Sequence, residues 1–254
     1  MSTTTLDVTG TRKVSLATLV RVELRKMYDT RAGMWLLISI AAITALVLAI
    51  VWFTAEPEDR TWFNLMSVLA SPQGLLLPVL GILLVTQEWG QRTAMVTFAL
   101  EPNRLKVIGA KVIAAVLFGT AAVVLAMVLA ALATAIGGSD NGWEGFAADD
   151  PFKMVLMQLL GVVMGVGFGL VFLNSAAAIV AFFLVPMVFS IVANVWEPMR
   201  DLAPWLDLGT AQQPLLSGEH MSTEMWGHVA TSSLIWVVLP LAVGLWRVLR
   251  AEIK

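Results

Sequence analysis

The side chains that could act as acids, bases or metal ligands lie outside the long apolar stretches of this chain. The stretches that are apolar enough to cross a membrane have no Lys, Arg, Asp, Glu or His within their predicted hydrocarbon cores. A charge there costs on the order of 3 kcal/mol and is usually kept for function. A proton-coupled carrier needs a buried titratable group, and an intramembrane metalloprotease needs carboxylate and imidazole ligands. Both classes of protein are therefore disfavoured.

Sites for metals, thiols and nucleotides are also missing from the sequence. His220 and His228 have no partner at a spacing typical of a metal site, and a solvated or interfacial position suits both. The chain contains no cysteine, which excludes disulfides and thiolate metal sites within it. It also lacks the G-x-x-x-x-G-K-[ST] sequence that holds nucleotide phosphates. We predict no catalytic residue, no metal site and no cofactor.

The most distinctive charged segment covers residues 87–111, with the sequence QEWGQRTAMVTFALEPNRLKVIGAK. Residues 61–86 before it and 112–139 after it carry no charge. A polar segment held between two membrane spans must project into water. The absence of proline from residues 91–100 predicts a short helix, which Pro102 and Asn103 would end. We expect this helix to lie along the membrane surface, available to a partner.

The composition is that of a polytopic membrane protein. Residues of the AVILMFWYC set make up 58% of the 254 residues, only 13% are charged, and the mean hydropathy is +0.82. About 20 residues cross the hydrocarbon core, so the apolar runs predict an all-α fold with six transmembrane helices. The predicted spans are residues 33–54, 64–86, 112–136, 154–173, 176–196 and 226–246. Pro72 and Pro78 predict a kink or partial break in the second span, and Asn174-Ser175 predicts the turn between the fourth and fifth.

The segment before the first span predicts an amphipathic helix at the membrane interface, at about residues 15–29. We expect residues 1–14 to be a disordered tail and residues 15–254 to form a single transmembrane domain. At 100° per residue one face of the helix is apolar, and it is made of Leu16, Leu19, Val20, Leu24 and Met27. Glu23 lies inside that face and would need a basic partner there or elsewhere in the protein. The alternative is a solvated basic segment.

The distribution of basic residues predicts that both termini are cytoplasmic. Residues 1–31, 87–111 and 247–254 hold six, four and three basic residues, which is 13 of the 16 in the chain. Six spans place these three segments on the same side, and the side richer in Lys and Arg is the cytoplasmic one. The opposite side receives Arg60, Lys153 and Arg200.

Three glycines recur at every fourth position of the fourth predicted span, namely Gly161, Gly165 and Gly169. This spacing lets another backbone approach one face of the helix closely. We expect the face to pack against a helix of the same chain; the alternative is a contact between subunits.

The segment 87–111 also carries a resemblance to a known family. The residues concerned are Glu88, Arg92-Thr93, Thr97-Phe98, Pro102, Arg104 and Ala110-Lys111. Further similar residues are Glu23-Leu24-Arg25-Lys26, Leu77-Pro78 and Pro204-Trp205-Leu206-Asp207. In these residues, and over nearly its whole length, the chain resembles the type-two permease subunits of bacterial ATP-binding-cassette exporters, especially the compact six-span actinobacterial kind.

The resemblance implies a multi-pass subunit of the bacterial plasma membrane that exports a lipid-like, hydrophobic or drug-like substrate. Two permease subunits, identical or different, would each dock on a cytoplasmic ATP-binding subunit that hydrolyses ATP, so this chain would not be an enzyme. The segment 87–111 would then be the coupling segment. Its expected contacts with the ATPase are Glu88, Arg92, Thr93, Met95, Phe98 and Arg104. Glu88 could also cap a short helix or pair with Arg92, and the alternative for each charged residue is a solvated loop position or a contact with a lipid headgroup.

Two other classes of function stay open at this stage. A membrane scaffold or immunity protein would use the same segment to bind a partner without moving a substrate. An intramembrane enzyme is disfavoured by the uncharged spans, since its catalytic residue would have to be Ser, Thr or Asn. No nucleic acid is expected as a partner.

Overall fold

The computed structural model of the chain describes residues 14–137, 140–216 and 220–251. Apart from Val14, the predicted N-terminal tail lies outside these residues. The described residues form helices joined by short connections, and no strand occurs among them. This confirms the predicted all-α class.

The helices follow one another in the order that the apolar pattern predicts. They are α1 (Leu16–Asp29), α2 (Arg31–Thr54), α3 (Trp62–Gly90), α4 (Ala94–Leu100), α5 (Arg104–Gly137), α6 (Asp150–Phe172), α7 (Ser175–Val195), α8 (Glu197–Arg200), α9 (Ala203–Leu206), α10 (Leu208–Gln212), α11 (Thr223–Ser233) and α12 (Leu239–Arg250). A π-helical turn (Leu234–Val238) joins α11 to α12, and 3₁₀ turns lie at Pro57–Asp59 and Gln213–Leu216.

Six helical segments of the described chain are long and apolar enough to cross a membrane: α2, α3, α5, α6, α7 and the continuous stretch 223–250. The protein therefore has a multi-pass, six-span architecture. Two of the spans, α3 and α6, form the centre of the bundle, whereas α2 and α7 leave most of their apolar surface exposed. Exposed apolar helix surface of this kind suits contact with lipid.

Contacts between helix ends fit an alternating up-and-down path. At one end, called the inner end here, Thr86 Oγ1 lies 2.7 Å from Ser175 Oγ, and Arg104 contacts the carbonyl of Val248. At the outer end, the backbone N–H of Trp62 donates to the carbonyl of Gly142 at 2.8 Å. Lys26 Nζ also lies 2.7 Å from Glu88 Oε1 at the inner end, so segments 14–31, 87–111 and 247–251 share this end, as the charge distribution predicts.

The second span has no break, because α3 runs continuously from Trp62 to Gly90 and contains both Pro72 and Pro78. The predicted kink stays a prediction. Neighbouring helices surround it, with α6, α5 and α2 packed along its length. Such packing holds a helix together where a proline removes a backbone hydrogen bond.

The helix that contains the third predicted span begins before it, since α5 starts at Arg104. Asn103 starts this helix: its side-chain Oδ1 accepts a hydrogen bond from the backbone N–H of Lys106 at 3.1 Å. No proline interrupts the sequence from Arg104 to Gly137. The segment 87–111 is consequently helical at both ends and extends from the bundle only between α3 and α5.

The three glycines of α6 face α3. A side-chain carbon at Gly161 would lie 3.4 Å from the ring of Pro78, and one at Gly165 would collide with the Pro78 carbonyl oxygen. One at Gly169 would collide with Val85. The glycine face therefore lies in the central helix contact of this chain.

We expect Gly165→Ala to lower the free energy of unfolding by about 1–3 kcal/mol, because the added methyl group meets backbone atoms that cannot rotate away. Gly109→Ala is the matched control, since a side-chain carbon at Gly109 meets nothing within 4 Å. Thermal unfolding of both purified variants measures the difference. Equal stability of the two variants would contradict this packing.

The orientation is tested with single cysteines, because the chain has none of its own. Thr93 and Glu144 are both exposed, at the inner and outer ends respectively. We expect Glu144→Cys to react with a membrane-impermeant maleimide in intact cells, and Thr93→Cys to react only after the cells are permeabilised. The reverse pattern would overturn the predicted sidedness.

Candidate functional site

A tight corner joins α1 to α2 at the inner end. Thr30 ends α1, its backbone N–H donating to the carbonyl of Lys26 at 3.1 Å, and it also starts α2, its Oγ1 accepting from the N–H of Gly33 at 3.2 Å. A side chain at Gly33 would collide with the carbonyl of Met27. One residue thus caps two helices, and glycine permits their close approach.

Glu23 is the residue that the amphipathic pattern of α1 left unexplained, and it lies buried with 3% of its surface exposed. Its Oε1 accepts a hydrogen bond from Lys26 Nζ at 2.8 Å, and its Oε2 accepts one from Lys111 Nζ at 2.8 Å. Its expected basic partner is therefore present twice, once on α1 itself and once on α5.

Glu88, near the inner end of α3, completes a cluster of four charges. Its Oε1 lies 2.7 Å from Lys26 Nζ and 3.2 Å from Lys111 Nζ. Lys111 Nζ also donates to the carbonyl of Leu84 at 3.2 Å. We call Glu23, Lys26, Glu88 and Lys111 the charge cluster; it has two positive and two negative groups, and it ties α1 to α3 and α5.

The charge cluster is built to hold helices together. Burial alone would lower the pKa of Lys26, but the carboxylates of Glu23 and Glu88 outweigh this and hold the pKa above its ordinary value. Lys26 therefore stays charged at neutral pH. Each of the four charges faces an opposite charge within 3.2 Å. The cluster offers no unpaired base or nucleophile for catalysis.

The short helix α4 lies beside this cluster, after a sharp reversal of the chain. Arg92 adopts a left-handed conformation with φ of 58°, and the backbone N–H of Thr93 donates to the carbonyl of Glu88 at 2.9 Å. A left-handed residue other than glycine is strained, by roughly 1 kcal/mol. The reversal lets α4 pack its Ala94 and Phe98 inward.

Two contacts hold the inner face of α4. The ring of Phe98 lies 6.4 Å from that of Trp89, and the guanidinium of Arg104 lies 5.3 Å from the Phe98 ring. Arg104 Nη1 in turn donates to the carbonyls of Val248 at 2.6 Å and Ala251 at 2.9 Å, at the end of α12. A cation at this position satisfies carbonyls that a helix end leaves free. The helix α4 is thereby connected to both α3 and α12.

The predicted partner contacts divide into inward and outward groups. Arg92, Thr93 and Met95 are exposed at the inner end. Glu88 and Phe98 are buried, and Arg104 is occupied by α12. Glu88 is bonded to Lys26 and Lys111, which corrects the expected pairing with Arg92. Buried polar side chains need partners, and the two lysines are the nearest ones.

The exposed face of α4 includes Met95, which was expected from the sequence, and also Val96 and Leu100, which were not. Met95, Val96 and Leu100 expose 53%, 59% and 77% of their surfaces. Val96 and Leu100 lie on the side of α4 opposite Ala94 and Phe98, and Met95 lies between the two sides. The helical spacing of the apolar residues could have indicated this division, since Ala94 and Phe98 are four positions apart.

A groove separates α4 from α1 at the inner end. Its volume is about 400 Å³, and its walls include Leu19 and Val22 of α1 and Thr97 and Leu100 of α4. Glu23 and Lys26 also line it. The inner end therefore presents an apolar groove beside an exposed apolar helix face, with the charge cluster lining part of the groove.

The outer end has a second buried cation, Lys153 of α6. Lys153 Nζ lies 3.1 Å from Asp150 Oδ1 and 3.1 Å from Asp149 Oδ2. The hydrogen bond from Lys153 holds the pKa of Asp149 below its usual value and outweighs the opposing effect of burial. These three residues fix the first turn of α6. The described residues contain no group of three His, Asp or Glu side chains able to hold a metal ion.

Comparison of the chain with models of protein families and with curated proteins found no match.

The charge cluster gives a direct test of its structural role. We expect Lys111→Met to lower the free energy of unfolding by about 3–5 kcal/mol, because it leaves Glu23 and Glu88 with one cation for two buried carboxylates. Adding Glu23→Gln should restore part of the loss, since the excess negative charge is then removed.

Thermal unfolding in a defined detergent measures these changes. Arg200→Met serves as the control, because Arg200 is exposed at the outer end. If Lys111→Met proved as stable as Arg200→Met, the charge cluster would not hold the three helices together.

Proposed function

We propose that this protein is the transmembrane permease subunit of an ATP-driven exporter, with ATP hydrolysis supplied by a separate cytoplasmic subunit. In this proposal α4 is the coupling helix, and it docks with the neighbouring α1 on the ATPase. The substrate is lipid-like, hydrophobic or drug-like, and the complex contains two permease subunits in the bacterial plasma membrane.

The observation that carries the proposal is the connection between α4 and the bundle. The helix α4 follows α3 after a three-residue reversal and precedes α5 by three residues, Glu101 to Asn103. The charge cluster locks the inner ends of α3 and α5 to α1. A force applied to α4 would therefore move several helices together, which is what a coupling helix must do.

The surface of α4 supports docking on a protein partner. Met95, Val96 and Leu100 form an exposed apolar strip, and the groove of about 400 Å³ lies beside it. Arg92 lies at the start of the strip and is exposed. Apolar anchors flanked by an arginine are typical of the residues that carry binding energy at protein interfaces.

The absence of an energy source in the sequence supports an external motor. The chain has no phosphate-binding loop. The buried charges of the charge cluster and of Lys153 are paired with opposite charges, and buried Asp207 accepts hydrogen bonds from Ser190 and Thr210. Paired groups of this kind serve structure and are poorly suited to carrying a coupled proton.

The test uses Leu100→Asp, which places a charge on the most exposed apolar residue of α4. We expect it to weaken the association with the ATPase subunit by at least about tenfold, since a central apolar anchor contributes about 2 kcal/mol. The measurement is the amount of ATP-binding protein, and of ATP hydrolysis, that co-purifies with the tagged chain from its native membrane.

Leu202→Asp is the matched control, because Leu202 is 51% exposed at the outer end, away from α4. Arg92→Asn tests the arginine without changing the backbone, since asparagine tolerates the left-handed conformation. If the wild-type chain retained no ATP-binding protein, the coupling assignment would fail. A retained partner without ATPase activity would favour the scaffold.

A further inference from the structure

A cleft runs along the surface of the bundle between α2 and α5. Both helices pack on α3, and the space between them has a volume of about 250 Å³ in its inner part and about 470 Å³ in its outer part. Leu129 of α5 lines both parts, so the two parts adjoin at this residue. The outer part is within the volume range of small-molecule sites, which is roughly 300–1,000 Å³, and the inner part is slightly smaller.

Small side chains leave this space. Ala41, Ala45 and Ala49 recur every fourth residue along the α2 wall, and Ala122 and Ala126 lie on the α5 wall. The rest of the lining is apolar apart from two residues, Thr44 of α2 and Gln73 of α3. Alanine walls alone would only describe a gap that lipid chains fill.

The two polar residues distinguish the cleft from such a gap. Gln73 and Thr44 are 2% and 5% exposed, and neither Gln73 Oε1 nor Thr44 Oγ1 has a hydrogen-bond partner among the described residues. Gln73 Nε2 donates to the carbonyl of Ala122 at 3.1 Å, which fixes the amide so that Oε1 is the free acceptor. A buried polar atom without a partner is costly, and a ligand that supplies one gains affinity.

The depth of these atoms limits the ligand. Thr44 lies 13 residues after Arg31 and 10 residues before Thr54, which places it about 15–20 Å from either end of α2, near the middle of the membrane. A charged headgroup cannot be held there, and no charged side chain lines the cleft. The ligand must therefore be neutral and must carry its hydrogen-bond donor within an apolar body.

We propose that this cleft binds a neutral apolar molecule through a hydroxyl or amide N–H group, which donates to Gln73 Oε1 and contacts Thr44 Oγ1. The apolar part of the molecule would lie along the alanine wall toward the outer end, past Leu129. The binding site is a property of this chain alone and does not rest on the coupling proposed above.

The test uses the full chain in vesicles of phosphatidylcholine, a lipid without a hydrogen-bond donor. The probe is methyl stearate with a hydroxyl at the middle of its chain and a photoreactive diazirine near its end. We expect labelling of peptides from α2 and α5, and competition by the unlabelled hydroxy ester about fivefold better than by methyl stearate, as one hydrogen bond predicts. Thr44→Val should reduce this preference.

Ala41→Phe should fill the inner part of the cleft and abolish labelling. Ala42→Phe is the matched control, since Ala42 is exposed on the same helix and does not line the cleft. Labelling spread evenly over all exposed spans, equal competition by the two esters, or equal labelling of the two phenylalanine variants would overturn the proposal. If Ala41→Phe does not fold, the competition experiment on the wild type and on Thr44→Val decides the question.

Discussion

Four paired charges, of which Glu23, Glu88 and Lys111 are buried and Lys26 is about one third exposed, hold the inner end of this protein together. Glu23, Lys26, Glu88 and Lys111 lie on three different helices, and each satisfies an opposite charge. In a poorly polarisable environment the loss of any one leaves an uncompensated ion, so the four residues act as a unit. The helices α1, α3 and α5 must therefore keep their spacing at this end, even though their apolar contacts alone would allow them to slide past one another.

The rest of the inner end depends on this constraint. With α1, α3 and α5 fixed, the connection from α3 to α5 has only residues 91–103 in which to reverse direction. It does so through the strained backbone of Arg92, a short helix and a proline-containing exit. Phe98 and Arg104 anchor the helix from beneath. The exposed strip of α4 is thus presented on a rigid base, which suits a surface that must transmit movement.

The architecture was predictable from the sequence because hydrophobic runs of membrane length have few alternatives. The six spans and the turn at Asn174 follow from that rule. Whether the prolines of α3 would break the helix could not be predicted, because that depends on neighbouring helices, which a single sequence does not reveal. The position of Glu23 on the apolar face of α1 predicted that it needs a basic partner. The sequence could not identify Lys111 as that partner, because it is 88 residues away along the chain. Likewise the inward position of Phe98 and the free acceptor of Gln73 depend on contacts between distant segments.

The shared cap at Thr30 has a mechanical consequence. Only Thr30 separates α1 from α2, so the two helices form one bent unit. Thr30 lies at the bend, and Gly33 lies on its crowded inner side. Ion pairs with Lys111 and Glu88 hold α1, the shorter helix, whereas little of the surface of α2, the longer helix, is covered by other helices. A small rotation of α1 would therefore displace the outer end of α2 by a larger distance. The cleft between α2 and α5 would become wider or narrower as a result.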